Sequence, residues 1–175
     1  MSGVASARVP REEGLDAVPI RNFEALYAQE HVRLFRALRL VTGDREEAED
    51  AMHDAFIRLL ERWERVGRLE DPVGYLYRTA LNAVRMRARR ARLAARRLAV
   101  RGAGDPMKTV EDQDRVDRAL ARLTIRQRAA LVLVDLYRFT SEEAGRILDV
   151  SPVTVRRLVG KGRQRLREDL EGADE

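Results

Sequence analysis

Apolar residues recur every three or four positions through most of the chain, which is the spacing of one face of an α-helix. Residues 23–41 follow this spacing and predict a first helix. Residues 48–63 continue it with a broad apolar face, which predicts a second helix. Gly43 and Asp44 lie between them, so we expect the first helix to end and the next to start there.

A third helix is predicted from its start signal. Residues 65–71 are rich in turn-forming and charged residues and are expected to form a loop. Asp71 and Pro72 then combine a capping side chain with a proline suited to the first helical position. The helix should run from Pro72 to about Arg92 or beyond.

The second half of the chain repeats the helical pattern in shorter segments. Short helices are expected around residues 116–123 and 126–137. Capping-box spacing from Thr140 and a second cap-plus-proline pair at Ser151-Pro152 predict two more helices, the last reaching about Leu170. No segment alternates with the period of a β-strand. We therefore predict an all-α protein of two small helical domains joined by a flexible linker.

The linker is predicted from composition. Residues 102–114 hold two glycines, one proline and four acids and offer little to bury. The predicted organisation is a disordered leader at 1–21, a first helical module at 22–92, a linker at 93–114, a second helical module at 115–170 and an acidic tail at 171–175.

Charge is abundant and segregated along the 175 residues. The net charge is +5, and all basic residues except Lys108 and Lys161 are arginines. Residues 85–101 hold eight arginines and no acid, whereas residues 44–54 hold six acids and one arginine. A basic chain with clustered arginines favours a polyanionic partner.

Several function classes are excluded by what the sequence lacks. Without cysteine there can be no disulfide, zinc–thiolate site or thiol nucleophile. No apolar run approaches the roughly 18 residues of a membrane span, and the charged first twenty residues do not resemble a signal peptide, so we expect a soluble intracellular protein without membrane insertion.

An enzyme and a metal centre are also disfavoured. Glu49, Asp50 and His53 could imitate half of a carboxylate–histidine site, but such sites in helical bundles need a second Glu-x-x-His motif. No phosphate-binding loop or nucleophile motif is present. We expect no metal, no cofactor and no catalytic activity.

The sequence from Thr140 to Leu166 has the spacing of a helix-turn-helix. Gly145 supplies the small residue needed where the two helices cross, and Asp149 occupies a turn position that favours positive φ. An ordinary helical hairpin with a solvated basic face remains the alternative. The second helix would enter the major groove, and the candidate residues for duplex DNA are Ser151, Thr154, Arg156, Arg157, Lys161 and Arg163.

Residues 22–92, with the motifs TGD, AED and YLYRTALN, resemble region 2 of the extracytoplasmic-function (ECF) sigma factors of bacterial RNA polymerase. Residues 115–170 resemble their region 4, in the same order. The resemblance implies an alternative sigma factor that binds core RNA polymerase, recognises the −35 and −10 promoter elements and promotes melting. A stand-alone helix-turn-helix repressor is the alternative, although nothing in the first module resembles a dimerisation or ligand domain.

The resemblance also implies partners and sites. The acidic helix would dock on the β′ clamp helices through Glu46, Glu49, Asp50, His53 and Asp54, unless this is merely a solvated acidic face. Single-stranded −10 DNA would be bound by Arg78, Asn82, Arg85, Arg89, Val66 and Arg68. The resemblance further implies the β flap of polymerase and an anti-sigma factor as partners. It places the protein in the bacterial cytoplasm, and at the nucleoid when it is bound to polymerase.

Three positions depart from the family pattern. Tyr75 stands where tryptophan is common, and we expect it to be part of the core rather than a stacking surface. Val66 stands where an aromatic residue often lines the base pocket, so the base preference does not carry over. Gly160 lies where a larger side chain usually faces DNA.

Overall fold

A computed structural model of the chain describes residues 22–99 and 115–171, with side chains from 22 to 96 and 118 to 169. The predicted leader, most of the predicted linker and residues 172–175 lie outside the described residues. All regular elements of the described ranges are helical, as predicted: α1 Phe23–Thr42, α2 Arg45–Glu61, α3 Trp63–Val66, α4 Pro72–Ala99, α5 Arg115–Ala121, α6 Ile125–Leu131, a π-helical turn Val132–Leu136, α7 Ser141–Leu148 and α8 Pro152–Glu171.

Helices α1 and α2 are joined by the two-residue connection that the sequence predicted. Gly43 adopts the left-handed conformation, with φ of 76°, and its N–H donates to the carbonyl of Arg39. Asp44 then accepts a hydrogen bond from the backbone N–H of Glu47 at 2.8 Å and caps α2. A left-handed glycine followed at once by a cap folds the second helix back on the first.

Helix α4 begins at Pro72 as predicted and extends beyond residue 92, where we placed the end of the first module. The Asp71 carboxylate accepts from the Gly74 N–H at 2.7 Å, and a Cβ at position 74 would clash with this cap. Residues 93–99, which we assigned to the linker, continue the helix. They are alanine, leucine and arginine, all strong helix formers, and the next glycine comes only at position 102.

In the second module (α5–α8), side chains cap the starts of α6 and α7. Thr140 forms the predicted capping box with Glu143, and Thr124 forms a second box with Gln127 that places the start of α6 one residue before our prediction. The last turns of the predicted 126–137 helix widen into the π-helical turn.

The first module (α1–α4) and the second module share one continuous cluster of buried apolar residues. Tyr77 of α4 is 1% exposed, and its ring centroid lies 6.1 Å from that of Tyr137 and 5.6 Å from that of Phe139. The Tyr137 hydroxyl donates to the carbonyl of Arg33 at 2.7 Å. Burial, together with the neighbouring carboxylate of Glu30, raises the pKa of Tyr77. The two modules are therefore packed together across their connection.

Candidate nucleic-acid interface

Four of the predicted strand-binding residues lie along one line of α4, here called the α4 basic face: Arg78, Asn82, Arg85 and Arg89. Their steps of four, three and four residues place them on the same side of the helix. Arg78 and Arg89 are exposed, whereas Asn82 and Arg85 are half-buried. The residues predicted to act together are thus brought together.

The α4 basic face is partly occupied by the turn of the helix-turn-helix. Arg78 Nη2 lies 3.5 Å from Asp149 Oδ1. Arg85 Nη1 donates to the carbonyl of Leu148 at 3.4 Å and to Asn82 Oδ1 at 3.2 Å. Both guanidinium groups therefore contact the second module, and the Asn82 amide is bound by Arg85 of the same helix.

Apolar side chains close the same seam below these polar contacts. Leu81 of α4 and Leu148 of the second module are both buried in the shared core. A narrow cavity between the modules is lined by Leu81 together with Ile125, Ala129, Leu148, Val150 and Leu158. Because apolar contact area is the main source of association energy, this seam contributes more than the exposed ion pair above it.

The loop that precedes α4 departs from our prediction at Val66. This residue ends the short helix α3 and is 0% exposed, so its side chain packs in the core and is not open to a base. Arg68 is exposed. The Tyr75 ring is half-buried, and its hydroxyl accepts from Arg62 at 3.3 Å, a hydrogen bond that lowers the pKa of Tyr75.

The helix-turn-helix has the predicted geometry. A Cβ at Gly145 would lie 2.8 Å from the carbonyl oxygen of Val150, so only glycine lets the two helices cross this closely. Asp149 adopts the left-handed conformation, with φ of 58°. Ser151 caps α8 by accepting from the Thr154 N–H at 3.2 Å, and the two hydroxyl groups are 2.9 Å apart.

The basic residues of α8 differ in whether they form ion pairs with other side chains. Arg157 and Lys161 are exposed and make no ion pair within the described part of the chain. Arg156 lies 3.7 Å from Glu142, both well exposed, which is a weak contact. Arg163 binds Asp135 through two nitrogens, a contact that raises the pKa of its guanidinium. We did not foresee this pairing, since its partner lies 28 positions earlier.

The two glycines of α8 have opposite surroundings. A Cβ at Gly160 would meet nothing within 4 Å, in agreement with a position that faces outward. A Cβ at Gly162 would lie 2.7 Å from Leu131 Cδ1, because α8 packs closely on α6 there. We did not predict that these two residues differ, although Gly162 follows the buried Val155 and Val159 at helical steps.

The predicted acidic surface of α2 is partly neutralised by arginines of α4 and of α2 itself. Arg87 lies 2.7 Å from Asp54 and 3.6 Å from Asp50, and Arg45 pairs with Glu49 at 2.9 Å. Glu46 and His53 are exposed.

We did not predict that Arg87 pairs with α2, although the sequence contained a signal for it. This residue follows the buried Leu76 and Ala80 at helical steps, so it lies on the side of α4 that faces α2. Within the described residues, no cluster of three or more histidine or acidic side chains could hold a metal ion, and no helix is long and apolar enough to cross a membrane.

A helical fold with a helix-turn-helix and basic faces on separate modules is typical of a DNA-binding protein. Residues 26–94 match the family model of Sigma-70 region 2, and residues 113–166 match that of Sigma-70 region 4. The chain is 34% identical over 147 residues to the ECF RNA polymerase sigma factor SigM of Mycobacterium tuberculosis H37Rv, covering 82% of this chain and 74% of SigM. It is 31% identical over 166 residues to the RNA polymerase sigma-E factor of Streptomyces avermitilis, covering 86% and 89%.

Two solved structures are similar in fold. One is the complex of CnrH with the cytosolic domain of CnrY, with a TM-score of 0.61, 25% identity and coverage of 87% of this chain and 89% of that chain. The other is the complex of the sigma factor RpoE with the anti-sigma factor NepR from Bartonella quintana, with a TM-score of 0.68, 19% identity and coverage of 85% and 96%. The chain belongs to the sigma-70 family as an ECF-type sigma factor and acts in transcription initiation. This replaces the alternative of a stand-alone repressor.

Proposed function

We propose that the α4 basic face captures the unpaired −10 strand while α8 binds the −35 duplex. The observation that carries this division is the placement of separate lines of cationic side chains on the two modules. Arginines on α4 would hold phosphates without reading sequence, and the Asn82 amide would both donate to and accept from a base edge. The chain itself would carry out no chemistry, which is the task of polymerase.

The packed arrangement competes with strand capture. Phosphates that approach Arg78 and Arg85 from the side of the second module would compete with Asp149 and the Leu148 carbonyl for these guanidinium groups. We infer that α4 separates from the turn after α7 when the −10 strand is captured. The outward side of α8 carries no such contact, so duplex binding does not require separation.

The acidic surface of α2 is proposed as the docking site for a basic coiled coil of core polymerase. Glu46 and His53 are open, whereas Asp50 and Asp54 share Arg87. A basic partner would replace one cation by several, which favours association at low salt.

An anti-sigma factor is proposed as a further partner, since the similar solved structures include a sigma factor held by one. We place the protein in the bacterial cytoplasm, with its polymerase. An anti-sigma factor that recognises both modules at once would favour the packed arrangement and so oppose strand capture.

Run-off transcription with core polymerase and a promoter library tests the proposal. Core enzyme with this chain should initiate from a small sequence class with two separated elements, and core enzyme alone should not. The matched variants are Asn82→Ala and Arg157→Ala, which should impair opening and duplex binding respectively. Initiation without sequence preference, or equal defects of both variants in both steps, would contradict the division of labour.

A further inference from the structure

An apolar side chain stands out at the start of α8. Val153 is 66% exposed, the largest fraction among the exposed large apolar residues of the described part of the chain. It belongs neither to the buried core nor to the apolar residues packed against it. Most of the Val153 side chain is therefore open to solvent rather than packed in either module.

Val153 lies on the side of α8 that faces away from the protein. The buried side of the helix is formed by Val155, Val159 and Gly162, at steps of four and three residues. Residues 153, 157 and 160 follow the same steps on the opposite side. Gly145 fixes the crossing of α7 over the start of α8, so this outer side is held in a defined direction.

The first turn of α8 offers little other than this methyl surface. The hydroxyl groups of Ser151 and Thr154 are engaged with each other and with the cap. The next group along the outer side is the Arg157 cation, and Gly160 beyond it leaves open space. Within a major groove, the base feature that suits an apolar side chain is the C5-methyl group of thymine.

We propose that Val153 reads the methyl group of one thymine in the −35 element, beside a phosphate or base contact of Arg157. The inference rests on the proposed binding of the −35 duplex by α8. It assigns sequence discrimination to a residue that carries no charge and no hydrogen-bonding group.

The test replaces each thymine of the selected −35 duplex by uracil, which removes the methyl group and leaves all hydrogen-bonding groups in place. Affinity of the full chain, bound to core polymerase, is measured for each duplex. One replacement should weaken binding about fourfold, the factor expected for one buried methyl group. Val153→Ala should lose a similar factor on the thymine duplex and show no difference between thymine and uracil.

Leu136→Ala is the matched control, because Leu136 is 61% exposed in the same module and lies outside α8. It should keep the full thymine–uracil difference, and thermal unfolding should show all variants folded. If binding is sequence-specific but no thymine is sensitive, or if Val153→Ala keeps the sensitivity, the reading by Val153 is wrong and the proposed function stands. If the holoenzyme selects no −35 sequence at all, the proposed function fails and this inference fails with it.

Discussion

The α4 and α8 helices both carry lines of arginine, and they differ in what covers them. On α4, Arg78 and Arg85 contact the turn of the second module, and apolar side chains of both modules share one buried core beside them. On α8, Arg157 and Lys161 face outward without an ion pair in the described ranges. Similar composition thus gives one face that the other module partly covers and one that is open to solvent. In the proposed function, access to DNA would depend on packing as much as on charge.

The largest expected effect comes from locking the covered face. The native chain has no cysteine, so the variant Arg78→Cys/Asp149→Cys can be joined by a cleavable thiol cross-linker without side reactions. We expect the cross-linked form to lose at least about tenfold in affinity for a −10 single strand. Affinity for −35 duplex should stay near normal.

The same variant after cleavage of the cross-linker is the control, since it lacks the same two side chains. Cleavage should restore strand binding. Equal strand affinity before and after cleavage would show that the packed arrangement does not cover the face.

A second prediction separates the two faces by function. Asn82→Ala should reduce open-complex formation about tenfold or more because a base loses its amide partner, while −35 duplex affinity is unchanged. Permanganate reactivity of the −10 region measures opening. Normal reactivity in this variant would remove Asn82 from base capture.

A third prediction concerns the two sides of α8 itself. Gly162→Ala should lower the free energy of unfolding by about 1–3 kcal/mol, because its Cβ would meet Leu131. Gly160→Ala should raise it by up to about 1 kcal/mol, because the added methyl group meets nothing and alanine favours the helix. Urea denaturation of the pair measures both, and equal signs would contradict the inward and outward assignment.

The smallest effect on −10 strand affinity is expected from removing the exposed ion pair between Arg78 and Asp149. Asp149→Asn keeps a residue that tolerates positive φ and removes the charge that holds Arg78. An exposed pair contributes about 0–1 kcal/mol, so −10 strand affinity should rise only two- to fivefold or so. Glu142→Gln, which removes the partner of Arg156, should leave strand affinity unchanged; an equal rise there would indicate a general charge effect.

Local signals made much of the fold predictable. Gly43 with Asp44, Thr140 and Ser151 act on backbone groups within four residues, so their helix boundaries could be predicted from the sequence. The α4 basic face was also accessible, because helical spacing and charge suffice to define it.

Contacts between distant segments were not predictable in the same way. The burial of Val66, the pairing of Arg163 with Asp135 and the packing of Gly162 on Leu131 all depend on how separate helices meet. The contact between Arg78 and Asp149 spans 71 positions and joins two modules that the linker composition suggested were independent. The helical period of apolar residues indicates which side of a helix is buried, but it does not indicate which residues that side packs against.

Energy transfer between dyes on the two modules measures whether α4 leaves the second module when DNA binds. Glu61→Cys and Arg146→Cys place labels on exposed residues outside both DNA faces. We expect high transfer in the free chain, unchanged transfer with −35 duplex, and a marked fall when a −10 single strand binds together with core polymerase. Transfer that stays high while the −10 strand is bound would contradict the claim that α4 must leave the second module to capture DNA.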